Sequence, residues 1–264
     1  MQNTNTAPLR PTTAPGRLAV LLFALTSYGI GMAGLAALVA ATFVPSLFEA
    51  GPVLAATTTG AVVVNVLLVA AFGVQHAIMA RPAFKRRSER IVPKPAQRSL
   101  FVLLAGAISA GIVWFWQPLD AVVWSVDAPA LRVALYALGA TGWTYLVVAS
   151  FAIDHFHLFG VAQAWRCFRR REEPALPMMR RLMYRFDRHP IMTGVLVGLW
   201  ATPTMRLDHL VLALAFTSYV VIGVAMEERD LVREHGRSYD DYRRSVGSIV
   251  PTFARRVERT AAFE

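Results

Sequence analysis

The sequence predicts an all-α fold: a polytopic transmembrane helical bundle of five to six spans, followed by C-terminal helices on the cytoplasmic side. Three observations predict it. The 264 residues are 55% apolar and 17% charged, more apolar and less charged than an ordinary soluble domain. The apolar residues gather in runs close to the ~20 residues a helix needs to cross a bilayer. The basic residues fall between alternate runs, on one side of the resulting bundle.

The runs cover residues 18–44, 53–80, 99–117, 130–153, 191–203 and 209–226. The fifth is short, and only a tight turn at 204–208 separates it from the sixth. These two are expected to form a helical hairpin whose first arm falls short of a full crossing. The run after Arg17 is too long for a signal-peptide core and reads as the first span. Residues 1–17, rich in Thr and Pro, read as a disordered cytoplasmic tail. Residues 18–264 read as a single integral-membrane domain, because no stretch outside the spans could bury a core of its own.

The net charge is +10, from 27 Lys+Arg against 17 Asp+Glu. Loops 81–98 and 165–190, the segment after the last run, Arg10 and Arg17 hold 25 of those 27 basic residues. Only Arg132 and Arg206 lie elsewhere, and the opposite loops carry Glu49, Asp120, Asp127 and Asp208. The positive-inside rule then places both termini in the cytoplasm. With no nucleic-acid motif in the chain, the basic excess reads as a topology signal facing lipid headgroups. Cys167 is the single cysteine, so an intrachain disulfide is excluded. Trp114, Trp116 and Trp124 read as an interfacial belt, and Asn65 as an interhelical hydrogen bond.

Ionisable residues beside spans are costly and are functional candidates. Gln75 and His76 close the second span; Asp154, His155 and His157 close the fourth. Arg188 and His189 open the fifth, and Glu227 and Glu228 close the sixth. Four segments thus bring polar chemistry to one depth on one side. His155 and His157 point to different faces of a helix, and no cluster has zinc spacing, so no metal site is expected. Glu227, Leu231 and Glu234 share one face, Gly236 suits a helix C-cap, and Tyr239 and Tyr242 stand one turn apart on a second short helix.

Arg188-His189-Pro190-Ile191-Met192-Thr193-Gly194, then a span, then Glu227-Glu228-x-x-Leu231-x-x-x-His235-Gly236-x-x-Tyr239-x-x-Tyr242, resembles the C-terminal half of the isoprenylcysteine carboxyl methyltransferase superfamily. Met192 stands where that pattern usually has Tyr, which argues against the prenylcysteine branch. Gln75-His76-x-x-Met79-Ala80-Arg81-x-x-Phe84-Lys85, Arg98-Ser99, Asp154-His155-Phe156-x-Leu158-Phe159-Gly160 and Trp200-Ala201-Thr202-Pro203-Thr204-Met205 look like the bacterial methanethiol S-methyltransferases. NnrU-type membrane proteins share part of this pattern. Family patterns often carry Asn where Asp154 stands.

The resemblance implies S-adenosyl-L-methionine as methyl donor, a small thiol (methanethiol) as acceptor, and a bacterial inner membrane. It implies a cofactor half at about 180–251, with Arg188, His189, Pro190, Glu227, Glu228, Tyr239 and Tyr242 around the donor. It implies an acceptor half with Gln75, Arg81 and Phe156 against the substrate. Methyl transfer to sulfur needs a thiolate, so a general base helps; His76 and His155 are the candidates, with Asp154 able to orient an imidazole. The donor's carboxylate calls for Arg188 at a helix start, and its hydroxyls and amine for Glu227 and Glu228. Two other readings stand beside this one: methylation of a larger acceptor, and a non-enzymatic membrane protein. Against a transporter, the sequence shows neither an internal repeat nor an ionisable residue at mid-membrane depth.

Overall fold

The computed structural model describes residues 11, 13–174 and 182–249. Residues 1–10 and 12 of the expected tail, and residues 180–181 and 250–251 at the edges of the expected cofactor half, lie outside the described residues.

Among the described residues, five helices are long and apolar enough to cross a membrane. α1 (Ala14–Phe43), α2 (Thr58–Ala80) and, after a short helix α3 (Pro82–Ser88), α4 (Lys94–Phe115) form the first half. A strand β1 (Val122–Ser125) precedes α5 (Pro129–Ala152). Two short helices follow, α6 (His155–Leu158) and α7 (Val161–Phe168). α8 (Pro190–Trp200), β2 (Thr204–Arg206), α9 (Leu207–His235) and α10 (Arg237–Ser245) complete the chain. This is the expected polytopic all-α bundle, and the chain is a multi-pass membrane protein. α1 starts at Ala14, inside the stretch read as tail, because the Thr13 side chain caps it by accepting the Gly16 N–H at 3.3 Å.

The fifth run falls short of a full crossing, as expected, and is bonded to α9 through Trp200 to Thr217 at 2.9 Å. α8 has 11 residues, about 16 Å of helix, roughly half of a ~30 Å hydrocarbon core. It packs chiefly along α5 rather than α9. Glycine permits this: a Cβ on Gly194 would strike the Gly142 carbonyl, and one on Gly142 would strike the α8 backbone. Small residues that let backbones touch are how helices associate where lipid removes a hydrophobic driving force. α1 and α4 meet the same way, at Gly34 against Gly106.

The chain still reaches the far end after α8. There β2 pairs antiparallel with β1, Ser125 opposite Thr204. Arg206 anchors this end, meeting Asp120 at 2.7 Å, Glu49 at 2.8 Å and Asp208 at 3.3 Å. Asn65 does form an interhelical bond: its amide donates to the Gln117 carbonyl and accepts the Gln117 N–H, both at 2.8 Å. Trp116 is no belt residue. It is 1% exposed and lies against Phe48, while Trp114 and Trp124 keep outward surface. The core joins both halves through Leu38, Ile112, Trp143, Leu146, Leu199 and Leu212.

The opposite, basic end carries what the sequence marked. α9 continues past its apolar stretch to His235, and Gly236, at φ 55°, caps it as its sequence position suggests.

Candidate functional site

His76 sits one turn before the end of α2, inside an aromatic enclosure. Its ring centroid lies 4.1 Å from Phe72, 4.7 Å from Phe101 and 5.9 Å from Tyr219. α2, α4 and α9 each supply one wall. Nδ1 is buried without a well-formed hydrogen bond, and the Phe72 backbone one turn earlier is the polar group that acts on the ring. Gln75 beside it donates to Met79 Sδ at 3.0 Å and to the Phe101 carbonyl at 3.4 Å, while its Oε1 is buried without a partner. A buried polar atom left unsatisfied costs about 1–3 kcal/mol. Gln75 and His76 thus each leave one buried polar atom unsatisfied, on side chains that leave α2 in different directions.

A second constellation joins the start of α8 to the end of α9. Pro190 takes the first helical position, where its missing N–H costs nothing. Asp187, fully buried, accepts the His189 N–H at 2.9 Å, and burial pushes its carboxyl above the usual range. Arg188 donates through Nε and Nη2 to Glu228 Oε1 at 3.0 and 2.7 Å. Its Nη1 donates to the carbonyls of Arg243 and Val246, both at 2.6 Å. Every guanidinium nitrogen is therefore engaged. The same Glu228 oxygen meets His189 Nε2 at 3.2 Å and accepts from Ser248 at 3.0 Å.

Glu227 is different. Its side chain is 54% exposed, and among the described residues it approaches His189 Nδ1 at 3.7 Å. Tyr242 donates to the Tyr184 carbonyl at 2.5 Å. Tyr239 is buried, and its hydroxyl has no hydrogen-bond partner among the described residues. Burial, then the charge of Glu228, pushes that phenol up to about 12.

His155 occupies a third place. It stacks on Phe151 at 4.1 Å and lies within 5.7 Å of Tyr28, Phe156 and Phe159. Nε2 meets the Tyr28 hydroxyl at 2.9 Å, and Nδ1 meets Ser150 Oγ at 2.7 Å. Burial lowers its pKa from the ordinary value, with Asp154 opposing. Asp154 caps α6 by accepting the His157 N–H at 3.0 Å, at a left-handed φ of 81°. Asn and Asp are the non-glycine residues that tolerate this conformation best, and either can cap. That accounts for Asp in a position where the resembling family often has Asn. His157 faces elsewhere, toward Glu173 at 3.1 Å.

The residues singled out in the sequence thus fall into three groups. Gln75 and His76 stand together; Arg188, His189, Pro190, Glu227, Glu228, Tyr239 and Tyr242 form the second; Asp154, His155 and Phe156 form the third. Arg81 belongs to none of them and ties α2 to α9 through Asp230 at 3.1 Å. Sequence reasoning missed Asp187, Tyr28, Ser150 and Tyr219. Tyr219 matters most. It touches the His76 enclosure and lies within electrostatic reach of Glu227, two turns further along α9. Its only sequence signal is a polar-tipped aromatic inside an apolar run. Tyr28 and Ser150 are ordinary span residues until folding brings them to His155.

A bundle with a buried histidine enclosure next to a polar cluster on its last long helix is a helical membrane enzyme, and the comparisons define its class as a methyltransferase. The chain is 38% identical to a methanethiol S-methyltransferase of Pseudomonas deceptionensis, over 96% of this chain and 97% of the relative. It is 43% identical to the methanethiol S-methyltransferase of Mycobacterium tuberculosis, over 75% of this chain and 81% of the relative. It is 40% identical to methanethiol S-methyltransferase 2 of Bradyrhizobium diazoefficiens, over 91% and 93%. The chain belongs to the methanethiol S-methyltransferase family. No family model matches it, and no solved structure does.

Proposed function

We propose that this protein transfers a methyl group from S-adenosyl-L-methionine to methanethiol, giving dimethyl sulfide, at the basic end of the bundle. We read that end as cytoplasmic, with both termini there and the bundle in a bacterial inner membrane. The family relationship supports the reaction. The observation that carries the site is Tyr219, which joins the His76 enclosure to the Glu227 side of the polar cluster.

In this reading His76 is the general base. In the tautomer that carries the proton on Nδ1, toward the Phe72 backbone, Nε2 accepts the proton of the thiol. Phe72, Phe101 and Tyr219 pack around the imidazole and give the thiol's methyl group an apolar surface to lie against. The resulting thiolate attacks in line: a new S–CH3 bond would form as the donor's S–CH3 bond breaks, S-adenosylhomocysteine would leave, the thiol proton would stay on His76, and the charges of thiolate and sulfonium would both be lost. An enclosure poor in water favours a step that consumes charge. Holding the two reactants aligned contributes several kcal/mol more.

The polar cluster suits the methyl donor in part. When bound, the donor supplies an electrophilic methyl group. Glu227, with its exposed carboxylate, suits hydroxyls or an ammonium, and the orphaned Tyr239 hydroxyl suits a further hydrogen bond. Arg188, His189, Glu228 and Tyr242 are already bonded to one another or to backbone, so they act by holding the frame. Asp154, His155 and Phe156 act likewise, by holding α6 and α7 against the bundle.

The test is headspace detection of dimethyl sulfide from purified protein supplied with S-adenosylmethionine and methanethiol. Product is expected. Donor binding without product would move the reading to a larger acceptor, and no donor binding by calorimetry would end it.

A further inference from the structure

A cavity of 1160 Å³ opens at the basic end between α3, the start of α4 and α7, with Phe101 as the wall it shares with the His76 enclosure. Seven basic residues and two acidic ones line it. The acids do not neutralise its centre. Glu173 is engaged by Arg166 and His157, each at 3.1 Å. Arg98 and Lys85 make no ion pair among the described residues.

Arg98 is held rigidly. Its Nε donates to the Leu158 carbonyl at 2.6 Å, and its guanidinium lies 4.7 Å over the Phe101 ring. Neither terminal nitrogen has a hydrogen-bond partner among the described residues. Lys85 stands near enough that the Arg98 charge adds to burial in lowering the ammonium pKa, with Glu234 opposing. Glu234 offsets this at Lys85 without forming an ion pair among the described residues, and an anion between the two cations would relieve their repulsion. The start of α4 adds to this. That 22-residue helix begins at Lys94 with no side-chain cap, so its first N–H groups also favour negative charge.

The other walls are apolar: Met79, Phe84, Leu100 and Leu158. α7 carries half-exposed Trp165 stacked 5.8 Å from Phe168, an arrangement suited to a membrane surface. A basic recess with apolar walls at the end of a transmembrane bundle fits an amphiphile with an anionic head. We infer that this cavity is a phosphate-class oxyanion site, with Arg98 and Lys85 as its cationic ligands, placed to take the headgroup of an anionic phospholipid.

The site adjoins the His76 enclosure across Phe101, but neither cation is assigned to thiol or donor. It is tested on the full chain in detergent, by calorimetry with short-chain phosphatidylglycerol, short-chain phosphatidylcholine and inorganic phosphate. Phosphatidylglycerol is expected to bind and phosphatidylcholine not to. Lys85→Gln should weaken binding about fivefold, near the ~1 kcal/mol expected of one basic residue at a membrane surface. Lys85→Arg should restore it, with unchanged thermal unfolding in both variants. Lys85 is the residue to change, because Arg98 also holds α6. Equal binding of inorganic phosphate would keep the site and make its source a free oxyanion. Equal response to both lipids with none to phosphate would overturn the inference. So would displacement of phosphate by S-adenosylhomocysteine, because the cations would then belong to the donor pocket.

Discussion

His76 and His155 are both histidines near the basic end, each ringed by aromatic side chains. They differ in hydrogen bonding. His155 has a partner at 2.9 Å on one nitrogen and at 2.7 Å on the other. His76 leaves Nδ1 buried without a well-formed bond, and Gln75 leaves an oxygen in the same condition. A satisfied imidazole is a structural bracket, while an unsatisfied one in a small enclosure is available for chemistry. The same contrast separates Glu228, which meets three side chains, from Glu227, which meets one loosely.

The largest expected effect is on turnover. His76→Ala should lower methyl transfer about 10²- to 10⁴-fold, the usual contribution of a general base, with donor affinity by calorimetry unchanged. His155→Ala should leave turnover per folded molecule within a few fold. Equal losses in both variants would dissolve the contrast.

Next comes the carboxylate pair. Glu228→Ala strands the buried Arg188 and should cost about 3–5 kcal/mol of stability in a denaturant titration. Glu227→Gln should leave the unfolding midpoint unchanged and weaken donor binding instead.

His155→Ala should cost a smaller amount, about 1–3 kcal/mol, for two hydrogen bonds and a stacked ring. It also carries a pH signature. Burial depresses the folded-state pKa below the ordinary 6.5, so the neutral ring is the one that fits. The contribution of this pocket is present above about pH 6.5 and is lost as pH falls through the lower folded value. Thermal unfolding of the wild type should weaken between about pH 7 and pH 5, and that part of the slope should vanish in His155→Ala. The smallest effect is Asp154→Asn, expected to shift stability by less than about 0.5 kcal/mol, since Asn holds the same left-handed cap.

Much of the fold was legible because bilayer physics writes it into composition. Run length and the partition of arginines located the five long helices. The α8 half-helix was legible only as a short run. Its packing on α5 depends on Gly142 and Gly194 meeting, a long-range match that hydropathy does not encode. Trp116 was misread because a Trp near a span end looks the same whether it faces lipid or Phe48.

The site was legible as a set of residues at one end, and less so as a division of labour. Sequence placed His76 and His155 on equal terms, since nothing local announces that Tyr28, 127 positions away, meets one of them. Arg188 looked available for a carboxylate until Glu228 and two carbonyls were seen to engage it.

The central claim is that His76 removes the thiol proton. An alkyl thiol supplies more thiolate as pH rises, so a missing base matters less there. The decisive measurement is the pH dependence of kcat/KM for methanethiol in wild type and His76→Ala, at saturating S-adenosylmethionine. The account predicts a wide gap at neutral pH that narrows steadily toward alkaline pH. A gap that stays constant across that range, or no gap at neutral pH, would contradict it.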